Sequence, residues 1–275
     1  MKIKRRLAIL ITNLIAWLIS AICLCPLLLL LFNSFKDKAS AAKMDLHLPT
    51  LPLQWENFST VIEKGKLAQS FMNSTIYSVC SVMICVILAA MASYVLSRNR
   101  SRLHNVIYFY LVLGITLPIN YVALMKVMQT LHLNNTRFGI ILLYVAMQLP
   151  FTVFLIYGFI SKISVEIDEA AILDGCGPYL LFFEIIFPLL KPVLATAVVL
   201  VFLNTWNEFV SPLYFLSSST QWPMTLAVYN FFGMYEKSWN LVCADIVLTT
   251  LPVLVVYLLG QKYIVTGMTA GAVKG

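Results

Sequence analysis

The chain has 275 residues, of which 60% are hydrophobic and only 11% are charged, and its formal net charge is +7. A typical soluble domain is about 45–50% apolar and about 25% charged, so this chain lacks the polar residues that a water-facing surface requires. The composition predicts a membrane protein and excludes an ordinary soluble domain, and it relates the positive charge to membrane orientation and anionic lipid rather than to nucleic acid.

Long apolar runs predict the membrane spans. A spanning helix needs about 20 mainly apolar residues, and continuous runs favour helices over the short alternating strands of a barrel. Four runs, at 7–35, 67–97, 105–125 and 138–161, carry no charge. The fifth, at 192–216, contains Glu208 as its one charge, and the sixth, at 238–261, contains Asp245. We predict an all-α membrane protein, one transmembrane domain over residues 1–275, with six transmembrane helices at about 7–32, 70–97, 105–128, 138–160, 190–214 and 240–262.

Basic residues predict the orientation of these spans. Lys and Arg are dense in the short segments 2–6 and 98–102, and such segments stay on the cytoplasmic side. The chain is therefore predicted to be N-in/C-in. The first run is longer than the 7–15-residue core of a signal peptide, so we expect an uncleaved first span, although Ala39-Ser40-Ala41 offers a small-residue cleavage pattern.

An acidic insert at 161–189 separates the fourth and fifth spans and is predicted to be cytoplasmic. Its first part, 162–175, predicts a short helix with Ser164 at the N-cap and Gly175 at C′, where the backbone turns left-handed. Gly177 is expected to loosen the turn, and Pro178 suits the first position of a second helix. That second helix is predicted over Tyr179–Phe187, ending before Pro188.

The first helix of the insert carries a patch of small residues. Ala170 and Ala171 lie at its middle and are flanked by Glu169 and Asp174. Two interpretations follow from the residues alone. The patch could dock into a groove of another protein, or the acids could simply keep a cytoplasmic loop solvated.

A second group of candidates lies near the outer end of the fifth and sixth spans. Charged groups inside a span are costly and are functional candidates by default, which singles out Glu208 and Asp245. Asn204 lies four residues before Glu208 and would share its helix face. With Trp206 and Asn207, these side chains suit a pathway for a polar solute, and the alternative is a set of interhelical hydrogen bonds or an outer gate.

Other function classes find less support. An ion-coupled secondary transporter is one possible class of function for such a chain. It would need internal repeats or more intramembrane charge. A membrane enzyme is disfavoured because the histidines are isolated, and neither H-E-x-x-H nor G-x-S-x-G occurs. The six cysteines form no C-x-x-C pair, so no metal site is predicted. The chain also lacks the phosphate loop G-x-x-x-x-G-K-[ST].

The insert resembles the EAA loop of the permease subunits of bacterial ABC importers. That pattern reads Glu-Ala-Ala, three residues, Gly, nine residues, Ile, one residue, Leu-Pro. It is matched here at 169–171, 175, 185 and 187–188, with Phe187 in place of Leu. Further stretches resemble the carbohydrate branch of this family, so that the resemblance runs from about residue 7 to 275: WENF at 55–58, FMNSTIYSV at 71–79, ASYVLSR at 92–98, WNEF at 206–209 and VTGMTAGAVKG at 265–275.

The resemblance implies a multi-pass permease of the bacterial inner membrane that imports a sugar or sugar-like solute. It implies that ATP and Mg²⁺ bind to two ATPase subunits, while this chain holds no cofactor, metal or catalytic residue. A second homologous permease subunit and an extracytoplasmic solute-binding protein are the other implied partners, with a homodimer left open. The implied ATPase-coupling residues are Glu169, Ala170, Ala171, Asp174, Gly175 and Gly177. The candidate pathway residues, chosen from charge and spacing as above, are Asn204, Trp206, Asn207, Glu208 and Asp245.

Overall fold

A computed structural model of the chain describes residues 2–99, 101–231 and 238–272, and its regular structure over these residues is helical. The last residues of the Gly-rich stretch, 273–275, lie outside the described residues. The helices are α1 Lys2–Ser34, α2 Lys38–Ala41, α3 Glu56–Lys64, α4 Leu67–Arg98, α5 Arg102–Thr116, α6 Tyr121–Thr130, α7 Arg137–Ile160, α8 Glu166–Leu173, α9 Pro178–Leu180, α10 Phe187–Leu189, α11 Lys191–Asn207, α12 Val210–Phe215, α13 Met224–Ala227 and α14 Trp239–Ala272.

Four helices are long and apolar enough to cross a membrane, and they coincide with the predicted first, second, fourth and sixth spans. Their apolar stretches are Ile9–Ser34, Leu67–Arg98, Arg137–Ile160 and Trp239–Ile264. The other two predicted spans fall on helix pairs that are bent at a short break. Six spans result only if each bent pair crosses the membrane once, so the six-span count and the orientation stay predictions.

The predicted span at 105–128 is divided into α5 and α6, and the chain bends by 118° between them. Leu117 has an extended backbone, as expected for the residue before Pro118, because the proline ring disfavours the helical conformation there. Asn120 then caps α6, and its side-chain oxygen accepts a hydrogen bond of 3.0 Å from the backbone N–H of Ala123. The break therefore has a local cause in the sequence.

The predicted span at 190–214 is divided as well. Helix α11 ends at Asn207, and Glu208 has an extended backbone with ψ 123°. The Glu208 carboxylate accepts a hydrogen bond of 2.8 Å from the backbone N–H of Ser211, at the beginning of α12. The prediction that Asn204 and Glu208 share one helix face is therefore wrong, because the helix has ended before Glu208.

The chain forms two compact units, and each is described by itself. The first comprises residues 1–68 and 227–251. Within it, Asn57 of α3 fastens that helix to the end of α1, since its side-chain amide donates to the carbonyls of Ser34 and Lys36 at 2.8 and 2.9 Å. Asn240 of α14 donates to the Asn57 side-chain oxygen at 2.7 Å. These bonds explain the asparagine of the WENF stretch.

The second unit comprises residues 69–226 and 252–275. Its main core packs α4, α7 and α11 against the two arms of the acidic insert. At the other end of α4, the Asn73 side chain donates to the carbonyls of Thr220 and Trp222 at 3.0 and 3.1 Å. The Ser74 hydroxyl accepts from the backbone N–H of Met224 at 2.8 Å. The Asn-Ser pair of the second span thus holds the segment that follows α12.

Candidate functional site

The acidic insert folds into the two helical arms that the sequence predicts, but its first helix begins later than expected. Helix α8 starts at Glu166, preceded by Val165 at the N-cap. Ser164 is therefore not the cap, and its hydroxyl instead accepts a hydrogen bond of 3.3 Å from the backbone N–H of Glu166. Carboxylates in the first turn complement the positive end of the helix dipole.

The turn between the two arms depends on Gly175. Its φ is +81°, a left-handed conformation that only glycine adopts at little cost. The backbone N–H of Gly175 donates to Ile172 and that of Cys176 donates to Ala171, each at 3.0 Å. This pair of bonds is the Schellman motif that closes a helix C-terminus, so α8 ends where the sequence predicts.

The second arm runs further than predicted. Pro178 opens it as expected, but the helical path continues through Pro188 to Leu189 instead of ending before the proline. Residues 181–186 form a π-helical stretch, at whose end the Phe187 N–H donates to the carbonyl of Phe182, five residues back. The wider turn changes the register in front of Pro188, which has no N–H to donate.

The outer face of the insert combines acids with exposed apolar side chains. Leu173 is 88% exposed, and Tyr179 of the second arm is 78% exposed. Two further apolar side chains, Ile172 and Leu180, are exposed beside them. The predicted coupling residues Glu169, Ala170, Asp174, Gly175 and Gly177 also lie on the exposed surface. Such a surface is suited to burial against another protein.

The inner face of α8 departs from the prediction. Ala171 is buried at 5% exposure and belongs to the core of the second unit, so it packs against this chain's own body and does not offer a docking surface. Asp168 lies one turn earlier on the same side and is buried as well. The reason is the helical period, because residues three apart share a face and the partly buried Ile167 packs against the same core.

Arg98, the last residue of α4, holds the buried acid. Its Nε lies 2.5 Å from Asp168 Oδ2, and its Nη1 and Nη2 donate to the carbonyls of Ile163 and Ser164 at 3.1 and 3.4 Å. Sequence reasoning missed this contact, since Arg98 was interpreted only as an orientation signal. The available signal was the position of Asp168 on the apolar side of an otherwise amphipathic helix.

The candidate pathway residues on α11 fall into two groups. Asn204 and Asn207 are exposed. The Asn204 side-chain amide donates to Gln148 Oε1 of α7 at 3.0 Å, while that of Asn207 returns to its own helix at the Leu203 carbonyl, 2.8 Å away. Gln148, a half-buried amide two residues before Pro150, was missed by the sequence analysis. A lone amide inside an apolar run was the signal that could have found it.

The other pathway candidates are held in structural roles. Trp206 is 2% exposed and stacks on Phe202 with 5.4 Å between ring centroids, so its ring face is not free for a sugar. The Glu208 carboxylate is engaged by the backbone N–H of Ser211, as described above. Asp245, in the first unit, is 1% exposed and cannot meet a passing solute in this conformation. Among the described residues, no group of three His, Cys, Asp or Glu side chains could hold a metal ion.

Comparison with known proteins gives the family. The family model described as "Binding-protein-dependent transport system inner membrane component" matches residues 82–270. The diacetylchitobiose uptake system permease protein NgcG of Streptomyces coelicolor is 32% identical over 265 residues, covering 95% of this chain and 87% of the relative. The melibiose/raffinose/stachyose import permease protein MelC of Bacillus subtilis is 32% identical over 278 residues, covering all of both chains.

A solved structure matches the fold. A chain from the crystal structure of a bacterial ABC transporter for the acidic polysaccharide alginate superposes with a TM-score of 0.82 at 22% identity, covering 94% of this chain and 96% of that one. The helical architecture, the EAA-type insert and the match over more than half of the sequence agree. The chain belongs to the family of binding-protein-dependent transport system inner membrane components, and it is a multi-pass protein of the bacterial inner membrane.

Proposed function

We propose that this chain is the membrane-spanning subunit of an ATP-driven sugar importer and that α8 is the coupling helix on which an ATP-hydrolysing partner docks. The observation that carries the proposal is the exposed outer face of α8, where Leu173 is 88% exposed. A loop that only faces water gains nothing from an exposed leucine, because apolar surface is unfavourable in water. The same helix is fixed on its inner face by Arg98 and the core, so it can transmit force.

The chemistry of this face suits a cleft with an apolar floor and basic walls. Burial of Leu173 and Ile172 would drive association, since a fully buried leucine contributes about 1.5–3 kcal/mol. Carboxylates of Glu169 and Asp174 would meet basic side chains at the rim and would fix the register more than the affinity. Ala170 lies between them and permits close approach of the partner. Ala171 contributes by packing inward.

The partners follow from the energy source and the family. Because the sequence has no phosphate loop, ATP and Mg²⁺ would bind to a partner ATPase subunit. Two copies of this subunit would be present in the complex. A second homologous permease subunit would complete the pathway, with two copies of this chain as the alternative. The family is defined by dependence on a binding protein, so an extracytoplasmic solute-binding protein is the remaining partner.

The solute class is supported by the relatives and by the exposed amides of α11. The names of the relatives quoted above refer to diacetylchitobiose and to melibiose, raffinose and stachyose. An amide exposed on a membrane helix is costly in lipid, so Asn204 and Asn207 are expected to face a water-filled pathway or a neighbouring subunit. Together with Gln148 they offer donors and acceptors for neutral sugar hydroxyls.

Affinity purification tests the proposal. The tagged chain, expressed in its native host and extracted in mild detergent, should recover an ATPase, and sugar-loaded binding protein should stimulate ATP hydrolysis by the recovered complex. Leu173→Asp should lose the ATPase. Ser101→Asp is the matched control, because it adds the same charge at the exposed N-cap of α5, where Asp is an equally good cap. Recovery of active chain without an ATPase would refute the proposal.

A further inference from the structure

The last turns of α4 contact both arms of the insert. Arg98 reaches the first arm through Asp168 and through the carbonyls of Ile163 and Ser164. Tyr94, one turn earlier, lies with its ring centroid 5.5 Å from that of Phe182 on the second arm. One short helical segment therefore fixes the insert at two places.

The contact to the first arm is charged and largely shielded from water. The side chain of Arg98 is 13% exposed and that of Asp168 is 8% exposed. Removing one partner of such a pair leaves the other charge buried and unpaired, which is strongly destabilising. An arginine also presents its donors as a rigid planar fork, so the two carbonyl bonds and the ion pair orient the beginning of α8 rather than merely attracting it.

The contact to the second arm is aromatic and is itself anchored. Phe182 belongs to the core of the second unit. Ser93, next to Tyr94, donates its hydroxyl to the carbonyl of Val153 on α7 at 3.1 Å. The guanidinium of Arg98 lies 6.0 Å from the centroid of the Tyr94 ring, within reach of a cation–π contact. The end of α4 is thus tied to both arms and to α7.

We propose that Arg98 and Asp168 are positioning residues for ATP coupling, and we name their ion pair the α4 clasp. This proposal rests on the proposed function, because it assumes that a partner pushes or pulls α8. With the clasp closed, displacement of α8 moves the C-terminal end of α4. Helix α4 would carry this movement along the predicted second span. With the clasp open, the short connections on either side of α8 would absorb the displacement.

The clasp has a different role from the exposed face. Asp168 lies on the buried face of α8, where Arg98 of α4 contacts it, away from the exposed Leu173. Removing either charge therefore leaves the docking surface in place. The variants Arg98→Ala and Asp168→Asn should still recover the ATPase with the tagged chain. They should lose stimulation of ATP hydrolysis by sugar-loaded binding protein by on the order of tenfold, which is in the usual range for coupling between two sites.

Charge exchange separates positioning from a general loss of folding. The double variant Arg98→Asp with Asp168→Arg rebuilds an ion pair of opposite polarity. It does not rebuild the two bonds to the carbonyls of Ile163 and Ser164, because a carboxylate has no donor. It should therefore recover part of the stimulation that either single change removes. Arg102→Ala is the matched control. It removes a positive charge four residues from Arg98, at an exposed position, and it should leave stimulation unchanged. Membrane content of each variant, measured by immunoblot, shows whether the chain is inserted.

The outcomes are distinct. Single variants that lose stimulation and a double variant that regains part of it support the clasp. Normal stimulation in the single variants, with the ATPase recovered, overturns the clasp and leaves the proposed function standing. A double variant that is inserted and recovers the ATPase, yet is no better than the singles, also overturns it. Failure of the wild-type chain to recover any ATPase overturns the proposed function and the clasp with it.

Discussion

The Asn204 side-chain amide donates a 3.0 Å hydrogen bond to Gln148 Oε1 and thereby joins α11 to α7 on an exposed face. Neither residue is charged, and both lie in mainly apolar helices. Each amide keeps further donors and acceptors beyond this one bond, so the pair can bind a hydroxyl group without breaking apart.

We predict that Gln148→Leu lowers kcat/KM for sugar uptake by up to about tenfold, because it removes an amide that can bond a sugar hydroxyl, and one such hydrogen bond contributes about 0.5–1.5 kcal/mol. Asn204→Leu should have a similar effect, and the double variant should lose less than the sum of the two. Val198→Ala, at an exposed apolar position of α11, is the control. Uptake of radiolabelled sugar into intact cells measures the effect, and additive losses would contradict the pairing.

The two glycines of the insert should differ. Gly175 has φ +81°, whereas Gly177 has φ −70°, and a Cβ added at either position meets no atom within 4 Å. Gly175→Ala should therefore destabilise the turn by about 1–2 kcal/mol through backbone strain alone. Gly177→Ala should have little effect, contrary to the expectation from sequence that Gly177 loosens the turn. Hydrogen–deuterium exchange of the amides of 172–176 distinguishes the two, and equal exchange in both variants would contradict the account.

Acid should weaken the ion pair between Lys36 and Asp45 in a defined pH range. Lys36 Nζ donates to the Asp45 carboxylate at 2.5 Å, and this bond, with a contribution from His47, lowers the pKa of Asp45 to about 2. The pKa of an unfolded Asp is about 3.9. Ionised Asp45 therefore stabilises the folded loop fully above pH about 4, and the contribution is lost as the pH falls through about 2.

The test compares the wild-type chain with Asp45→Asn at each pH. Exchange of the backbone amides of 41–44 should be slower in the wild-type chain above pH about 5, and the difference should shrink between pH about 4 and about 2. Comparison at matched pH cancels the intrinsic pH dependence of amide exchange. A difference that persists unchanged at pH 2 would show that the carboxylate has no part in holding this loop.

Local signals in the sequence predicted much of the fold. The four long helices, the left-handed Gly175 and the opening of the second arm at Pro178 each depend on a few neighbouring residues. The breaks at Leu117 and Glu208 were missed because hydropathy continues across them. The first break has a local cause in Pro118 and the Asn120 cap, and at the second the Glu208 carboxylate accepts from the backbone N–H of Ser211. A search for apolar runs does not detect such local features.

Contacts between distant segments could not be predicted in the same way. Asp168 lies 70 residues from Arg98, and no local pattern in either segment indicates that the two side chains pair. The inward direction of Ala171 and the burial of Trp206 likewise depend on which helices pack against them. Ala171 and Trp206 were therefore assigned to partner and solute, whereas the structure uses both for packing.

Site-specific crosslinking tests the central claim most directly. Leu173→Cys, in a chain carrying Cys176→Ser, places a thiol on the exposed face of α8, and Ala171→Cys in the same background places it on the buried face as a control. We expect Leu173→Cys to capture an ATPase subunit in membranes, with a yield that changes when nucleotide is added, and we expect Ala171→Cys to capture little. A chain that still transports solute while Leu173→Cys captures no ATPase would contradict the assignment of α8 as the coupling helix.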